Sequence, residues 1–423
     1  MNRIHFRLAR HWTLRGLAFG ALGTLGLAAP ARDGDAETVK KAAGATAPRR
    51  AVDLAICLDT SGSMDGLIDA ARQKIWSIVN DLALATPTPR LRIALLTYGN
   101  DGHDAERGWV AVDAPFTEDL DTVSAQLFAL KTNGGTELVA RVLDAASRLQ
   151  WSEEKEALKL IVVAGNESAE QDEKLDFRNV CKNLVEHGVL VDSIYCGNPA
   201  DGLAPAWREV AQRADGQFAA IDQQNGTVTI ATPFDSELAA LSTSINDTYL
   251  WFGVAGAAAC ENQKAQDSNA SGANSATCSA RAMTKGGAAY VNRNDLVDAV
   301  KAGSVKVEDV KKEELPEKMR EMTTEQKLKC IDEAGGRRAE IAKKIQEAGA
   351  KRDAYVAEEM RKQAKDDKNS FDRAVRDAVR QQAATRGFKF PEDPKKPAPS
   401  NEAPKNEAPK CETPKSETPR KVE

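Results

Sequence analysis

The chain has 423 residues, of which 42% are hydrophobic, 5% aromatic and 29% charged, with a formal net charge of −5. That length and apolar share allow one domain of ordinary size plus further segments. The acidic excess sits in residues 51–300, whereas residues 1–50 are basic and residues 301–423 are close to balance. An acidic centre poor in aromatics repels phosphate backbones and offers little to stack a base on, so no nucleic-acid partner is expected.

Arg3, Arg7, Arg10 and Arg15 precede the short apolar run "GLAFGALGTLGLAA", and "APA" closes it at 29–31. The pattern predicts a signal peptide over 1–31 and an extracytoplasmic protein, periplasmic or secreted. The alternative is an N-terminal anchor helix, for which the run is short. No other segment is apolar enough to cross a bilayer, so no stable membrane span is expected after cleavage. Residues 32–50, rich in Ala, Lys and Gly, read as a linker.

From residue 51 short apolar runs alternate with helical patterns. "AVDLAICL" (51–58) reads as a strand. Residues 66–84 carry apolar positions at helical spacing, including Ile68, Ile75, Ile78, Val79 and Leu82. Strands follow at 91–99 and 109–116, helices at 118–130 and 137–149, and a buried-type strand at 157–165. A helix around 171–187 ends at Gly188, with His187 placed where an imidazolium favours the helix dipole. A strand at 189–197, a helix at 204–214 and a strand at 217–222 complete the series. Alternation of this kind predicts βαβ units, hence an α/β, Rossmann-like, doubly wound and mostly parallel sheet over residues 51–253. Trp207 and "YLWFG" (249–253) read as core and junction.

Residues 254–385 are expected to form a helical C-terminal region packed on the domain, with a coiled-coil hairpin as the alternative; "GG" at 335–336 marks a break between two helices. The tail, 386–423, contains four tandem copies of x-E-[AT]-P-[KR] at 401–420. Proline at every fifth residue blocks helix and sheet, and predicts an extended, disordered spacer. Seven cysteines are present, with no C-x-x-C. Cys57 lies in an apolar strand as a buried thiol, and Cys260 and Cys278 are candidates for a disulfide.

The first strand stops on "DTSGSM". Asp59, Ser61 and Ser63 place three side-chain oxygens on one tight loop, just past the carboxyl end of a strand, where ligands of such sheets bind. A hard divalent cation takes oxygen donors, and Mg²⁺ prefers six of them. "TNGGTEL" (132–138) offers Thr136 on a second loop whose glycines allow close backbone approach. The alternative is a turn that merely caps the next helix through Ser63 or Asp65. Such a cap would not require Thr136.

Asp59-Thr60-Ser61-Gly62-Ser63, with Thr136 in a GGT loop inside an alternating α/β domain, resembles the von Willebrand factor type A (VWA) family. The resemblance covers about residues 51–253. It implies that Asp59, Ser61, Ser63 and Thr136 form a metal-ion-dependent adhesion site (MIDAS) for Mg²⁺ or Mn²⁺. It also implies that a protein ligand with an exposed acidic residue completes the ion's coordination. One departure is visible. The family's further aspartate, in a T-D-G turn, falls at Gly165 of "VVAGNES" (162–168). Asn166 or Glu167 is the residue placed to reach in instead, with a water as the alternative. "AGNE", "CG" (196–197) and "AIDQ" (220–223) resemble exported bacterial VWA proteins with helical C-terminal regions.

Three functions are therefore in view. The first is an exported metal-dependent binding module, and the second an envelope scaffold with an idle site and contacts made by the C-terminal helices. The third, a metal-dependent hydrolase, ranks last, because no general base, no G-x-S-x-G and no phosphate-binding loop accompanies the hydroxyls. No enzyme is expected. Asp101, His103, Asp104 and Glu106 in "GNDGHDAERG" form a weaker candidate for a second cation site.

Overall fold

The computed structural model describes residues 49–65, 68–221, 230–363 and 371–390. The predicted signal peptide, almost all of the linker and the x-E-[AT]-P-[KR] repeats lie outside the described residues, as does Cys411.

Six strands form one sheet: β1 (Ala51–Asp59), β2 (Arg90–Tyr98), β3 (Val110–Thr117), β4 (Leu158–Gly165), β5 (Val189–Tyr195) and β6 (Phe218–Ala220). Their order is β3-β2-β1-β4-β5-β6. β3 runs antiparallel to β2, and every other pairing is parallel. All nine residues of β1 are buried. Alternation along the strand sends Val52, Leu54, Ile56 and Leu58 into one apolar layer and Ala55 and Cys57 into the other. A strand buried on both faces reads as a continuous apolar run, as this one does.

Helices α3 (Val139–Ser147), α4 (Phe177–Glu186) and α5 (Ala204–Arg213) cover the face of Ala55 and Cys57. α4 starts later than the sequence pattern indicated, because Asp176 caps it by accepting from the Arg178 amide. Residues ahead of it are drawn to Asp172, which accepts from the Lys174 and Leu175 amides and pairs with Arg141. His187 closes α4, its Nδ1 2.8 Å from the Asn183 carbonyl oxygen, and Gly188 follows at φ 71°.

The opposite face is covered by α1 (Ile68–Ala83), α2 (Leu120–Ala129) and, from far along the chain, α11 (Phe371–Thr385). Val379 and Ala383 of α11 are fully buried with Val52 and Leu54. Arg380 pairs with Asp81 of α1 at 2.7 Å. Phe388, placed in the tail by composition, is 2% exposed in the same core, and Lys389 exchanges backbone hydrogen bonds with Thr86. The core therefore crosses the expected boundaries at 253/254 and 385/386, and the described residues belong to one compact unit.

Between these, α6 (Asp235–Asn246), α7 (Gly256–Ala273), α8 (Ser275–Gly286), α9 (Leu296–Lys301) and α10 (Thr324–Gln363) form a helical layer. α10 runs unbroken through Gly335 and Gly336, correcting the expected break there. Each glycine costs a helix about 1 kcal/mol against alanine. Packing on α6, α8 and α9 offsets this. Cys260 and Cys278 sit near the starts of α7 and α8 as free thiols, and do not form the expected disulfide. Among the described residues no helix is long and apolar enough to cross a membrane.

Buried polar pairs fix the helical layer on the sheet domain. Asp121 of α2 accepts from Arg281 at 2.5 Å and from the Tyr290 hydroxyl at 2.6 Å. Arg338 of α10 lies 3.9 Å from the Tyr249 ring centroid and pairs with Asp295 at 2.7 Å. Asp121→Ala leaves Arg281 buried without that charge, and is expected to cost roughly 3–5 kcal/mol. Adding Arg281→Met should recover most of the loss. Urea unfolding of both variants checks this, and equal destabilisation by the single and double changes would contradict it.

Candidate metal site at the switch point

In a sheet of order 3-2-1-4-5-6 the crevice lies at the carboxyl ends of the strands flanking the reversal, here β1 and β4. β1 ends there on Asp59, which is fully buried. Its Oδ1 accepts the Ser61 amide at 2.8 Å, a local turn that aims the next residues back over the carboxylate. Its Oδ2 is buried and has no hydrogen-bond partner among the described residues. Ser61 Oγ and Ser63 Oγ lie 2.9 Å apart, Ser61 fully buried and Ser63 exposed, so the oxygens run from the interior to the surface.

The second loop is fastened to the first by backbone bonds. Asn133 N–H donates to the Thr60 carbonyl at 3.0 Å, and Gly62 N–H to the Gly134 carbonyl at 2.9 Å. Asn100 bridges them, its side-chain amide donating to the Thr60 and Lys131 carbonyls. Gly134 has φ 88°, and a Cβ there would lie 2.5 Å from the Asp101 backbone, so the glycine is a steric requirement. Thr136 forms an antiparallel bridge with Gly99, and a Cβ on Gly99 would lie 2.8 Å from Asp59 Oδ1. The structure thus brings Thr136's loop beside Asp59.

The third loop follows β4. A side chain at Gly165 would run into the Tyr98 hydroxyl and come 3.1 Å from Asp59 Oδ2. Tyr98 is buried and donates to the Ala164 carbonyl at 3.1 Å. The position of the family's aspartate is therefore occupied by another strand's phenol. Asn166 clasps Ser63 from both ends: its Oδ1 accepts from Ser63 Oγ at 3.0 Å, and its Nδ2 donates to the Ser63 carbonyl at 3.2 Å. Glu167 is half-buried, and its carbonyl accepts from Trp207 Nε1 at 2.8 Å. Trp207 is core, as read from the sequence, and it also holds this loop.

Burial pushes the Asp59 carboxyl up to about 7, with a smaller contribution in the same direction from the charge of Glu137. Burial and the same Glu137 charge raise Glu167. Glu137 is only 5% exposed, and its Oε2 accepts from Gln171 at 3.2 Å. It was not among the candidates from the sequence, although it directly follows Thr136. An acid immediately after a proposed ligand was the available signal.

The donor set of Asp59, Ser61 and Ser63, with Thr136 adjacent, suits a hard divalent cation, and the orphaned Asp59 Oδ2 is the atom such an ion would satisfy. Among the described residues no three His, Cys, Asp or Glu side chains converge as a metal-binding group, so a cage here would draw mostly on hydroxyls. The second candidate does not assemble. His103 Nε2 lies 2.9 Å from Thr97 Oγ1, and Asp104 caps its own turn by accepting from the Glu106 amide.

Residues 53–224 match the family model of the von Willebrand factor type A domain. No curated protein matches the sequence. Among solved structures, proximal thread matrix protein 1 from the mussel byssus, with a zinc-occupied MIDAS motif, is 14% identical, with 42% of this chain and 43% of that chain covered and a TM-score of 0.32. A von Willebrand factor type A structure from Catenulispora acidiphila is 19% identical, with 42% and 40% covered and a TM-score of 0.33. The vWF domain of the type V pili tip protein Mfa5 from Porphyromonas gingivalis is 12% identical, with 42% and 92% covered and a TM-score of 0.33. This chain spans less than half the length of the first two. The family match, on the strand order and loops described above, identifies residues 53–224 as a von Willebrand factor type A domain.

Proposed function

We propose that this chain is an exported, non-enzymatic binding protein. Its VWA domain holds Mg²⁺ or Mn²⁺ through Asp59, Ser61, Ser63 and Thr136, with Asn166 and Glu167 at the rim. The ion supplies a positive centre at the surface, to which an acidic side chain of a protein partner binds. The basic, then apolar, segment 1–31 supports export. One observation carries the metal reading: a fully buried carboxylate with an orphaned oxygen beside two serine hydroxyls that lead outward. Left bare, such a group is costly; a divalent ion beside it reverses the balance and holds it ionised. The hydrolase reading stays last, because the sequence has no G-x-S-x-G and no phosphate-binding loop beside these hydroxyls.

Gly165 favours a second reading. With Tyr98 in the place of the family's aspartate, a direct ligand is gone, and a scaffold with an idle site would make its contacts through α6–α10. Metal dependence separates the two. Because the core extends to Phe388, the full chain is the proper sample. A ligand that binds only the folded state at 100 times its Kd adds about 2.7 kcal/mol. Millimolar Mg²⁺ or Mn²⁺ should raise the melting temperature over EDTA by several degrees, and Asp59→Ala should abolish the rise. The parent, but not the variant, should then bind an immobilised acidic peptide in a metal-dependent way. No rise at millimolar metal would favour the scaffold.

In EDTA the site has its own pH signature. The Asp59 carboxyl titrates near 7 in the folded chain and near 3.8 when unfolded. The folded state binds this proton more tightly, so the contribution to stability is fully present below about pH 4 and is lost as pH rises to about 7. Asp59→Asn removes that dependence. The variant should match the parent at pH 4 and exceed it at pH 8 by on the order of 2–4 kcal/mol. Melting curves across this range in EDTA measure it, and a constant difference between parent and variant would contradict the assignment.

A further inference from the structure

We propose that Glu137 supplies the second negative charge of the cation site, the charge that β4 does not provide. The inference rests on the metal-holding reading above and adds a residue to it.

A divalent ion held by hydroxyls needs carboxylates near it, since hydroxyl oxygens are weak donors and affinity rises with the number of charged ligands. Asp59 gives one. The usual route to another, a side chain at position 165, is closed by the Tyr98 hydroxyl, so the lack of a ligand on β4 follows from the packing. The remaining acids near Asp59 are Glu137 and Glu167, and four observations favour Glu137. First, its Cγ and Asp59 Oδ1 lie within 3.0 and 2.8 Å of one point, the place where a Cβ on Gly99 would stand. The two side chains therefore flank one glycine from opposite loops. Second, Glu137 is 5% exposed, whereas Glu167 is only half-buried. Third, no Lys or Arg among the described residues pairs with Asp59, Glu137 or Glu167, whereas the buried Asp53, Asp81, Asp121 and Asp295 each have such a partner and the buried Asp192 has the Gln382 amide instead. The one described hydrogen bond of Glu137, from Gln171, leaves the charge uncompensated. Fourth, Glu137 adjoins Thr136, whose loop is already bonded to the Asp59 loop through Thr60, Gly62 and Gly99.

Two carboxylates buried at one glycine without a counter-charge oppose each other's ionisation, and a cation between or beside them is what lets both carry their charge. The orphaned Asp59 Oδ2 is the independent sign that a ligand belongs there. Glu137 acts either as a direct ligand or by fixing a bound water, and in both cases its negative charge is what the ion requires. Gln at this position keeps the shape and the Gln171 contact but not the charge, and Asp keeps the charge at shorter reach.

The test is Mn²⁺ binding to the full chain, read from the loss of the free-ion signal in electron paramagnetic resonance, for the parent, Glu137→Gln, Glu137→Asp, Glu167→Gln and Asp59→Ala. Melting in EDTA verifies that each variant is folded. Expected are loss of binding in Asp59→Ala, a Kd raised roughly tenfold or more in Glu137→Gln, partial recovery in Glu137→Asp, and little change in Glu167→Gln. If the parent binds no better than Asp59→Ala, the metal site itself falls and this inference with it. If Asp59→Ala loses binding while Glu137→Gln binds as the parent does, the site stands and the role of Glu137 is overturned. A loss confined to Glu167→Gln would assign the charge to β4's loop instead.

Discussion

The constraint on which the site depends is the ending of a fully buried strand on a charge. β1 is closed in by β2 and β4 at its edges and by helices on both faces, and Asp59 is its last residue. One carboxylate oxygen is satisfied locally by the Ser61 amide; the other is satisfied by nothing described. The surroundings are shaped around that fact. Gly99 stands just past β2, where a side chain would strike the carboxylate, and Gly165 ends β4, where one would strike the Tyr98 hydroxyl beside it. Tyr98 sends its hydroxyl to the Ala164 carbonyl and leaves Asp59 Oδ2 free. From the carboxylate the serine hydroxyls run from the buried Ser61 to the exposed Ser63, so this side leads to solvent.

The helical half is bound to this arrangement through the core. A doubly wound sheet needs apolar cover on both faces, and α1 and α2 leave part of one face near β6 to be covered. α11 returns from well over a hundred residues beyond β6 to fill it, with Val379, Ala383 and then Phe388. Ion pairs at such seams add little net stability, because desolvation consumes most of their attraction, but a mispaired alternative would leave a charge buried. Arg281 with Asp121, Arg380 with Asp81 and Arg338 with Asp295 thus specify the placement of the helices more than they strengthen it.

What was legible in the sequence follows the same physics. β1, β2, β4 and β5 were readable because burial on both faces demands unbroken apolar runs. Asp59, Ser61, Ser63 and Thr136 stood out as candidates because a D-x-S-x-S turn directly follows a strand and a GGT loop lies in the same alternating domain. Glu137 was not: adjacency to Thr136 does not reveal which way a side chain points, and an acid at the start of a helical stretch is ordinary for dipole reasons. Gly335-Gly336 misled, because intrinsic propensity was read without the packing of α10 on α6, α8 and α9 that holds the helix through them. Phe388 was hidden in a stretch whose charge and proline content resemble the repeats beyond it, and one aromatic carries no periodicity.

The distribution of bonds around the site decides what an ion could change. The 59–63 and 132–136 loops are joined by main-chain bonds. The 165–168 loop is held by Asn166 on Ser63 and by Trp207 on the Glu167 carbonyl. None of these contacts donates to the Asp59 Oδ2 atom. The cage is therefore largely assembled before an ion arrives, and little binding free energy is lost to ordering. Moving the second charge from β4 to Glu137 shifts the electrostatic connection as well. An ion would then tie β1 to the start of α3, while the loop after β4 remains held by its hydrogen bonds to Ser63 and Trp207. The loop at 132–138, not the end of β4, is the element through which occupancy of the site would be felt elsewhere in the domain.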